Sequence, residues 1–396
     1  MPFKETCPVE ERIAMFRAYD AGEFKVTELC QLYGVSRETF YVWKRRRESG
    51  DERWFEERSR APEHCPHATP AAQVGRIVAM RQRFPRFGAR KILAKLREER
   101  PRVDWPAAST IGDILKREGL VAERRRRRRP LPLGEIAAGS WEPNGEWSID
   151  FKGWFRIRNG ERCDPLTLED TASRYLVETR IVEPTWAGVR LALERIFGEV
   201  GLPDAIRSDN GPPFGSTGAG GLSSLSVWWL RLDIEPRYIP PSSPQDNGRH
   251  ERMHRTLKDA TARPPAGTLA EQQARFDAFR RHYNEERPHE ALGQTPPARH
   301  WRAPTRQLPQ RLDEPWYDAD HQVRRVRPAG TIKWRGEQVF VGEALAGELV
   351  GLAELENGSH VVRFCGRDLG LISRDLRFLR FAPPRARLRC AKETQE

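Results

Sequence analysis

From about residue 141 the chain changes texture, and that change limits its possible fold more than any other feature. Trp147, Ile149 and Phe151 alternate with Ser148, Asp150 and Lys152, the period of two that a strand requires. Further strand-like runs follow at 154–157, 166–168 and 174–182. From Thr185 the period lengthens, with Val189, Leu193, Ile196 and Phe197 on one side of a helix expected to run to Val200. A short strand at 205–207, a helix at 222–232 and a strand at 236–239 come next, then helices over 243–260 and 269–286. Strands followed by alternating helix and strand predict a mixed sheet flanked by helices.

The segment before this region carries only helical periods. Residues 8–50 read as three short helices. Val26, Leu29, Cys30 and Tyr33 form an apolar stripe, Gly34 breaks it, and Ser36 can cap the next helix. On that third helix Phe40 and Trp43 face inward, which leaves Arg37, Tyr41, Lys44 and Arg45 free. Two helices joined by a short glycine-containing turn form a helix-turn-helix, whose second helix enters the DNA major groove. A plain helical hairpin with a basic, solvated face is the simpler alternative. Residues 61–75 are rich in Pro, Ala and His and read as a linker. His64, Cys65 and His67 lie there without a fourth ligand for a metal site. A second helical module follows over 75–120, with stripes at Ile92, Leu93 and Leu96 and at Ile111, Ile114 and Leu115, stopped by Gly119. Six consecutive arginines, Arg124, Arg125, Arg126 and on to Arg129, come next. Such a block repels itself in isolation, but against DNA it can neutralise phosphates and release counterions. With 68 Lys and Arg against 56 Asp and Glu, the whole chain carries a formal charge of +12, which suits a polyanionic partner.

Beyond about residue 305 the signals are those of hairpins. Runs at 332–334 and 339–341 flank Arg335-Gly336-Glu337, and runs at 352–355 and 360–364 flank Asn357-Gly358. They predict a small C-terminal β-barrel. The chain is thus expected to be multidomain: an all-α helix-turn-helix domain at 1–60, a second helix-turn-helix or winged-helix-like module with the Arg-rich linker at 61–130, an α/β core at 138–305, and the barrel at 306–396. The six cysteines are scattered with no CxxC pair, which fits a reducing compartment rather than a disulfide scaffold. Neither an apolar leader nor a run of about 18 apolar residues is present, so a soluble, intracellular protein is expected.

Three acids carry the candidate chemistry. Asp150 interrupts a strand built otherwise of large apolar residues, a costly place for a carboxylate unless it is paired or bound to metal. Asp209 ends a strand in Arg207-Ser208-Asp209-Asn210-Gly211. Glu251 sits in the first turns of a helix that begins in Pro244-Gln245-Asp246-Asn247-Gly248-Arg249-His250-Glu251. Acids at strand ends converge at one edge of an α/β sheet. Three hard oxygen donors suit Mg²⁺ or Mn²⁺. Two such ions about 3.5–4 Å apart can clamp both reacting oxygens of a phosphodiester. Arg255 and Lys258 share the face of Glu251, while Met253 and Leu257 lie on another and can seat the helix on the sheet. A surface ion pair between Glu251 and Arg255 is the simpler reading of that spacing. Spacing alone also leaves Asp164, Glu169, Asp170 and Asp246 as rivals.

The blocks Trp147-Ser148-Ile149-Asp150-Phe151-Lys152-Gly153, Ser208-Asp209-Asn210-Gly211 and Ser243 to Glu251 resemble the three acid blocks of the retroviral-integrase superfamily. The run Tyr283-Asn284-Glu285-Glu286-Arg287-Pro288-His289-Glu290-Ala291-Leu292, followed by Thr295-Pro296, is similar to the tail of that core in bacterial insertion-sequence transposases, with the IS481-like group fitting best. The resemblance covers roughly residues 8–380 and is most specific over 141–304. It implies an RNase H-like core with a five-stranded mixed sheet. It also implies a DDE triad at Asp150, Asp209 and Glu251 that binds two Mg²⁺ or Mn²⁺ ions. Lys258 is implied as a contact to the element's terminal DNA, and a dimer or higher multimer as the form that pairs two double-stranded DNA ends. The implied activity is metal-dependent 3′-end cleavage and strand transfer. The alternatives are a non-catalytic, transposase-derived DNA-binding regulator and an RNase H-like nuclease. In one respect the chain departs from the pattern: Asp209 and Glu251 lie 42 positions apart, several more than is usual. The Gly- and Ser-rich run 215–226 is expected to absorb the difference as a surface-loop insertion, at small entropic cost. No His-His-Cys-Cys zinc module precedes the core, which separates the chain from retroviral integrases.

Overall fold

The computed structural model describes residues 7–58, 68–121, 142–239 and 248–381. The arginine block with Arg124, Arg125 and Arg126, the His64-Cys65-His67 segment and Asp246 lie outside the described residues. The chain divides into two compact units, residues 1–70 and 71–396.

The first unit is a three-helix module of α1 (Pro8–Asp20), α2 (Val26–Leu32) and α3 (Arg37–Glu48). Its core is Met15, Phe16, Leu29, Phe40 and Trp43, with Phe16 stacked on Phe40 at a ring separation of 5.0 Å. The turn between α2 and α3 works as the sequence predicts. Gly34 adopts φ +63°, open to glycine at no steric cost, and the Thr39 amide donates to Ser36 Oγ at 3.1 Å.

The second unit opens with α4 (Ala71–Arg83), α5 (Ala89–Glu99) and α6 (Ala108–Arg117). The two predicted stripes, Ile92 with Leu96 and Ile111 with Ile114 and Leu115, meet Ile77, Met80, Phe87 and Trp105 in one core. The α/β region follows as β1 (Trp147–Phe151), β2 (Phe155–Arg156), β3 (Arg162–Cys163), β4 (Pro165–Asp170), β5 (Leu176–Ile181), α7 (Trp186–Val200), β6 (Ala205–Ser208), α8 (Ser224–Arg231), β7 (Glu235–Tyr238), α9 (Gly248–Thr261) and α10 (Leu269–Arg281). Five of these strands form a mixed sheet in the order β5-β4-β1-β6-β7, antiparallel on the β5-β4-β1 side and parallel through β1-β6-β7. This is the RNase H-like arrangement.

The period of β1 decides what each face of that sheet does. Trp147 and Ile149 point with Leu166, Leu168 and Val177 to a core capped by α7 and α8. Ser148 and Asp150 point to the other face, which α9 and α10 cover. Met253 and Leu257 seat α9 there against Leu176, Phe276, Phe279 and Tyr283. Burying each such side chain contributes about 1.5–3 kcal/mol, enough to hold the helix across the sheet.

Two expectations need correction. The C-terminal strands are β8 (His321–Arg325), β9 (Thr331–Trp334), β10 (Glu337–Phe340), β11 (Leu349–Glu354), β12 (His360–Phe364), β13 (Arg367–Ile372) and β14 (Phe378–Arg380). They do not close into a barrel. β14-β13-β12-β11-β8 is an open antiparallel sheet, and β9 and β10 pair as a separate hairpin. The reason is that its apolar face already has a cover: Ile332, Trp334 and Val339 of the hairpin and Ala219, Leu222, Val227 and Leu230 from around α8 bury Leu352, Val362, Phe364 and Ile372. The second correction follows from the first. The Gly- and Ser-rich run 215–226 is not a surface loop, because Ala219, Leu222 and Leu225 are buried. Gly220, at φ +62°, passes so near Leu369 that an added Cβ would lie 3.3 Å from its Cδ2. No described helix is long and apolar enough to cross a membrane.

Candidate active site

The strand register aligns two of the three acids on neighbouring strands' ends. β1 runs parallel to β6 with Trp147 beside Ile206 and Ser148 beside Arg207, so that register, continued, sets Asp150 beside Asp209. Neighbouring strands lie about 4.8 Å apart. Asp209 sits just past the end of β6, open to solvent, and its Oδ1 accepts the Gly211 amide at 3.2 Å. Partial desolvation raises its carboxyl above the ordinary range, and the Gly211 hydrogen bond opposes that rise.

The third acid arrives on α9, and two histidines dock that helix. Thr167 on β4 lies directly opposite Asp150 in the antiparallel register, so both side chains share a face. Thr167 Oγ1 lies 2.6 Å from His250 Nε2 and 2.7 Å from His254 Nε2, and donates to the Asp150 carbonyl at 3.0 Å. His250 Nδ1 is 2.9 Å from Ser148 Oγ, and His254 Nδ1 is 3.9 Å from Asp150 Oδ2. Burial holds both rings neutral at pH 7. His254 is pushed down to about 3, with Lys152 adding to the effect, and His250 falls well below its usual value, aided by His254 and Arg207.

Glu251 follows His250 in the first turn of α9 and is exposed, as are Arg255 and Lys258 on the same face. The Glu251–Arg255 ion pair that their spacing permits is not formed among the described residues. Lys258 instead lines a shallow cleft with Lys152, Trp154 and Phe155 beside the end of β1. Lys152 is lowered by burial and then by the Lys258 charge, so this cleft is electropositive. Asp150 shares a cluster with ligand atoms all within 4.8 Å, but its partners there are His250 and His254 rather than Asp209 and Glu251.

Most of the rival acids have structural roles. Asp170 is buried and accepts the amides of Asn144 and Ser173, each at 2.8 Å. Asp164 pairs with Arg162 at 2.7 Å. Glu169 is buried next to Asp170 in β4. On α3, Arg37, Tyr41 and Arg45 form an exposed stripe. Lys44 differs, because it donates to Tyr19 Oη at 2.8 Å and lies 3.7 Å from Glu48. The sequence reading passed over Thr167, His250 and His254. The i, i+4 spacing of two histidines around Glu251 was the one signal available, since such a pair shares a helix face.

A model for the integrase core domain matches residues 232–297, the stretch that carries α9 and α10, and a helix-turn-helix domain model matches residues 11–53. The chain is 30% identical over 227 residues to the insertion element IS407 uncharacterized 31.7 kDa protein of Burkholderia multivorans, spanning 56% of this chain and 78% of that one. It is 29% identical over 299 residues to the insertion element IS476 uncharacterized 39.2 kDa protein of Xanthomonas euvesicatoria, covering 74% and 78%. It is 26% identical over 313 residues to transposase InsD for insertion element IS2-9 of Escherichia coli, covering 74% and 94%. Among solved structures, the HTLV-2 integrase catalytic core domain in complex with magnesium superposes with a TM-score of 0.32 at 17% identity, over 41% of this chain and 98% of that one. The sequence matches define an integrase-type core behind a helix-turn-helix domain. The chain belongs to the insertion-sequence transposases of the retroviral integrase superfamily.

Proposed function

We propose that this chain is a DNA transposase that cleaves the 3′ ends of an insertion element and joins them to target DNA, with Asp150, Asp209 and Glu251 as its divalent-metal ligands. The observation that carries the reading is the meeting of β1, β6 and α9. The parallel register of β1 and β6, carried past the end of β6, sets Asp209 level with Asp150, and the helix bearing Glu251 is docked onto β1 by His250 and His254. The donor set fits hard divalent ions such as Mg²⁺ or Mn²⁺, and Asp150, Asp209 and Glu251 would hold two of them. When bound, such ions supply charge neutralisation and activation of the attacking oxygen.

The chain's own groups do the rest. Arg255 and Lys258 would hold phosphates of the terminal DNA beside Glu251, and Lys152 adds charge at the mouth of the cleft. Water attacks the phosphodiester at the element end and the strand's 3′ oxygen leaves as a hydroxyl. That hydroxyl then attacks a target phosphodiester in line. The helix-turn-helix unit would bind the inverted repeats through Arg37, Tyr41 and Arg45, with Lys44 restrained by Tyr19. Arg124, Arg125 and Arg126 would grip backbone, and two ends would be paired by a homo-oligomer.

Asp150→Asn tests the assignment, because it removes a charge and keeps the volume. Joining of pre-cut DNA ends in Mg²⁺ or Mn²⁺ should fall by about a thousandfold or more, about 4 kcal/mol in barrier height, while end binding persists. Joining at the wild-type rate would refute the catalytic role. End binding by a wild-type chain that never joins DNA would instead favour a DNA-binding regulator.

A further inference from the structure

The docking of α9 leaves one nitrogen lone pair facing Asp150. The Asp150 carbonyl can only accept, so the 3.0 Å contact from Thr167 uses the single hydroxyl proton of that residue. Thr167 Oγ1 must then accept from both histidines, so the proton of each ring sits on Nε2. On a neutral ring each Nδ1 is then a bare acceptor. His250 satisfies its own with the Ser148 hydroxyl at 2.9 Å. His254 has no such donor among the described residues, and its Nδ1 faces Asp150 Oδ2 at 3.9 Å. That distance is beyond a hydrogen bond. Two acceptors facing each other at this range call for something between them that both can bind, and a cation does this as a bridging water does. The gap is also about the span of two metal–ligand bonds of roughly 2 Å each.

We propose that His254 Nδ1 and Asp150 Oδ2 share one divalent cation, making His254 a nitrogen ligand in a site otherwise built from carboxylates. His250 is a positioning residue: it is fully committed to Ser148 and Thr167, and it fixes the rotation of the helix that presents His254. The inference rests on the reading that Asp150 binds metal, and it deepens that reading by defining the donor set. Imidazole favours the later first-row ions, whereas Mg²⁺ prefers oxygen. The site should therefore bind Mn²⁺ or Co²⁺ more tightly than Mg²⁺, and His254→Gln should weaken Mn²⁺ by about tenfold or more and narrow its advantage over Mg²⁺.

The decisive measurement is electron spin-echo modulation on the untagged full chain loaded with substoichiometric Mn²⁺. Wild type should show ¹⁴N directly coupled to manganese. Labelling only the histidines with ¹⁵N should replace that signal with its ¹⁵N counterpart, a test that needs no variant to fold. His254→Gln should lose the coupling. Mn²⁺ that binds wild type and is released by Asp150→Asn, yet shows no nitrogen coupling, would overturn the histidine ligand and leave the carboxylate site standing. Mn²⁺ binding unchanged by Asp150→Asn would overturn both.

Discussion

The two five-stranded sheets of this chain bury their side chains in contrasting ways. Apart from His360, the inner face of the C-terminal sheet is apolar, with Val350, Leu352, Val362, Phe364, Leu369 and Ile372 all essentially inaccessible. The central sheet hides Ser148, Thr167, Glu169, Asp170, Glu178, Thr179 and Arg207 as well as its hydrophobic residues. A buried polar group costs about 1–3 kcal/mol unless it is hydrogen-bonded, so a sheet rich in them needs a reason. Around β1 and β4 the reason is position: the Ser148–His250–Thr167–His254 chain of contacts fixes a helix above Asp150. The C-terminal sheet needs only to be covered, and a hairpin and the region around α8 cover it.

Substitutions on the two sheets should therefore fail differently. Leu352→Ala in β11 leaves a cavity and should cost about 2–5 kcal/mol. Urea denaturation should show that loss, while DNA joining per folded molecule stays near wild type. A comparable loss of joining would mean that the C-terminal sheet takes part in the chemistry. Thr167→Val keeps the shape but removes the hydroxyl shared by three partners, and should cost about 1–3 kcal/mol. Here joining per folded molecule should fall with stability, and if it does not, α9 is held by its apolar face alone.

Acid should act on the central region by a graded effect. His250, His254 and His289 are held neutral by burial, with Lys91 adding to the effect at His289, so their folded pKa values lie below those of the unfolded chain, about 3 for His254 and His289. Below about pH 6.5 the unfolded state binds the extra protons, so the stabilisation is complete above that pH and is lost as pH falls towards 3. The slope is up to about 1.4 kcal/mol per pH unit for each such ring. Melting temperatures between pH 7 and pH 4 measure it, and His254→Gln should flatten the curve. A wild-type curve already flat over this window would show that the rings are not kept neutral.

Much of the fold was legible because its signals are local. The alternation at 147–151, the Ser36 cap and the Asn357-Gly358 turn each act within a few residues, and each stands where the sequence puts it. Barrel closure failed as an expectation because it depends on whether the edge strands β14 and β8 meet, and covering the apolar face from outside removed the need. The run 215–226 misled for a related reason. Its glycines suggest exposure, but Gly220 is there to allow a close approach to Leu369.

The amino-acid sequence on its own determined the periods, caps and turns, and with them the three acid-bearing blocks and the basic face of α3. The tertiary structure alone decided which of those residues meet. Thr167 and His250 are 83 positions apart, and His250 and Ser148 are 102 apart. Contacts at that range depend on strand register and helix docking, which the packing of the whole core selects and no local period encodes.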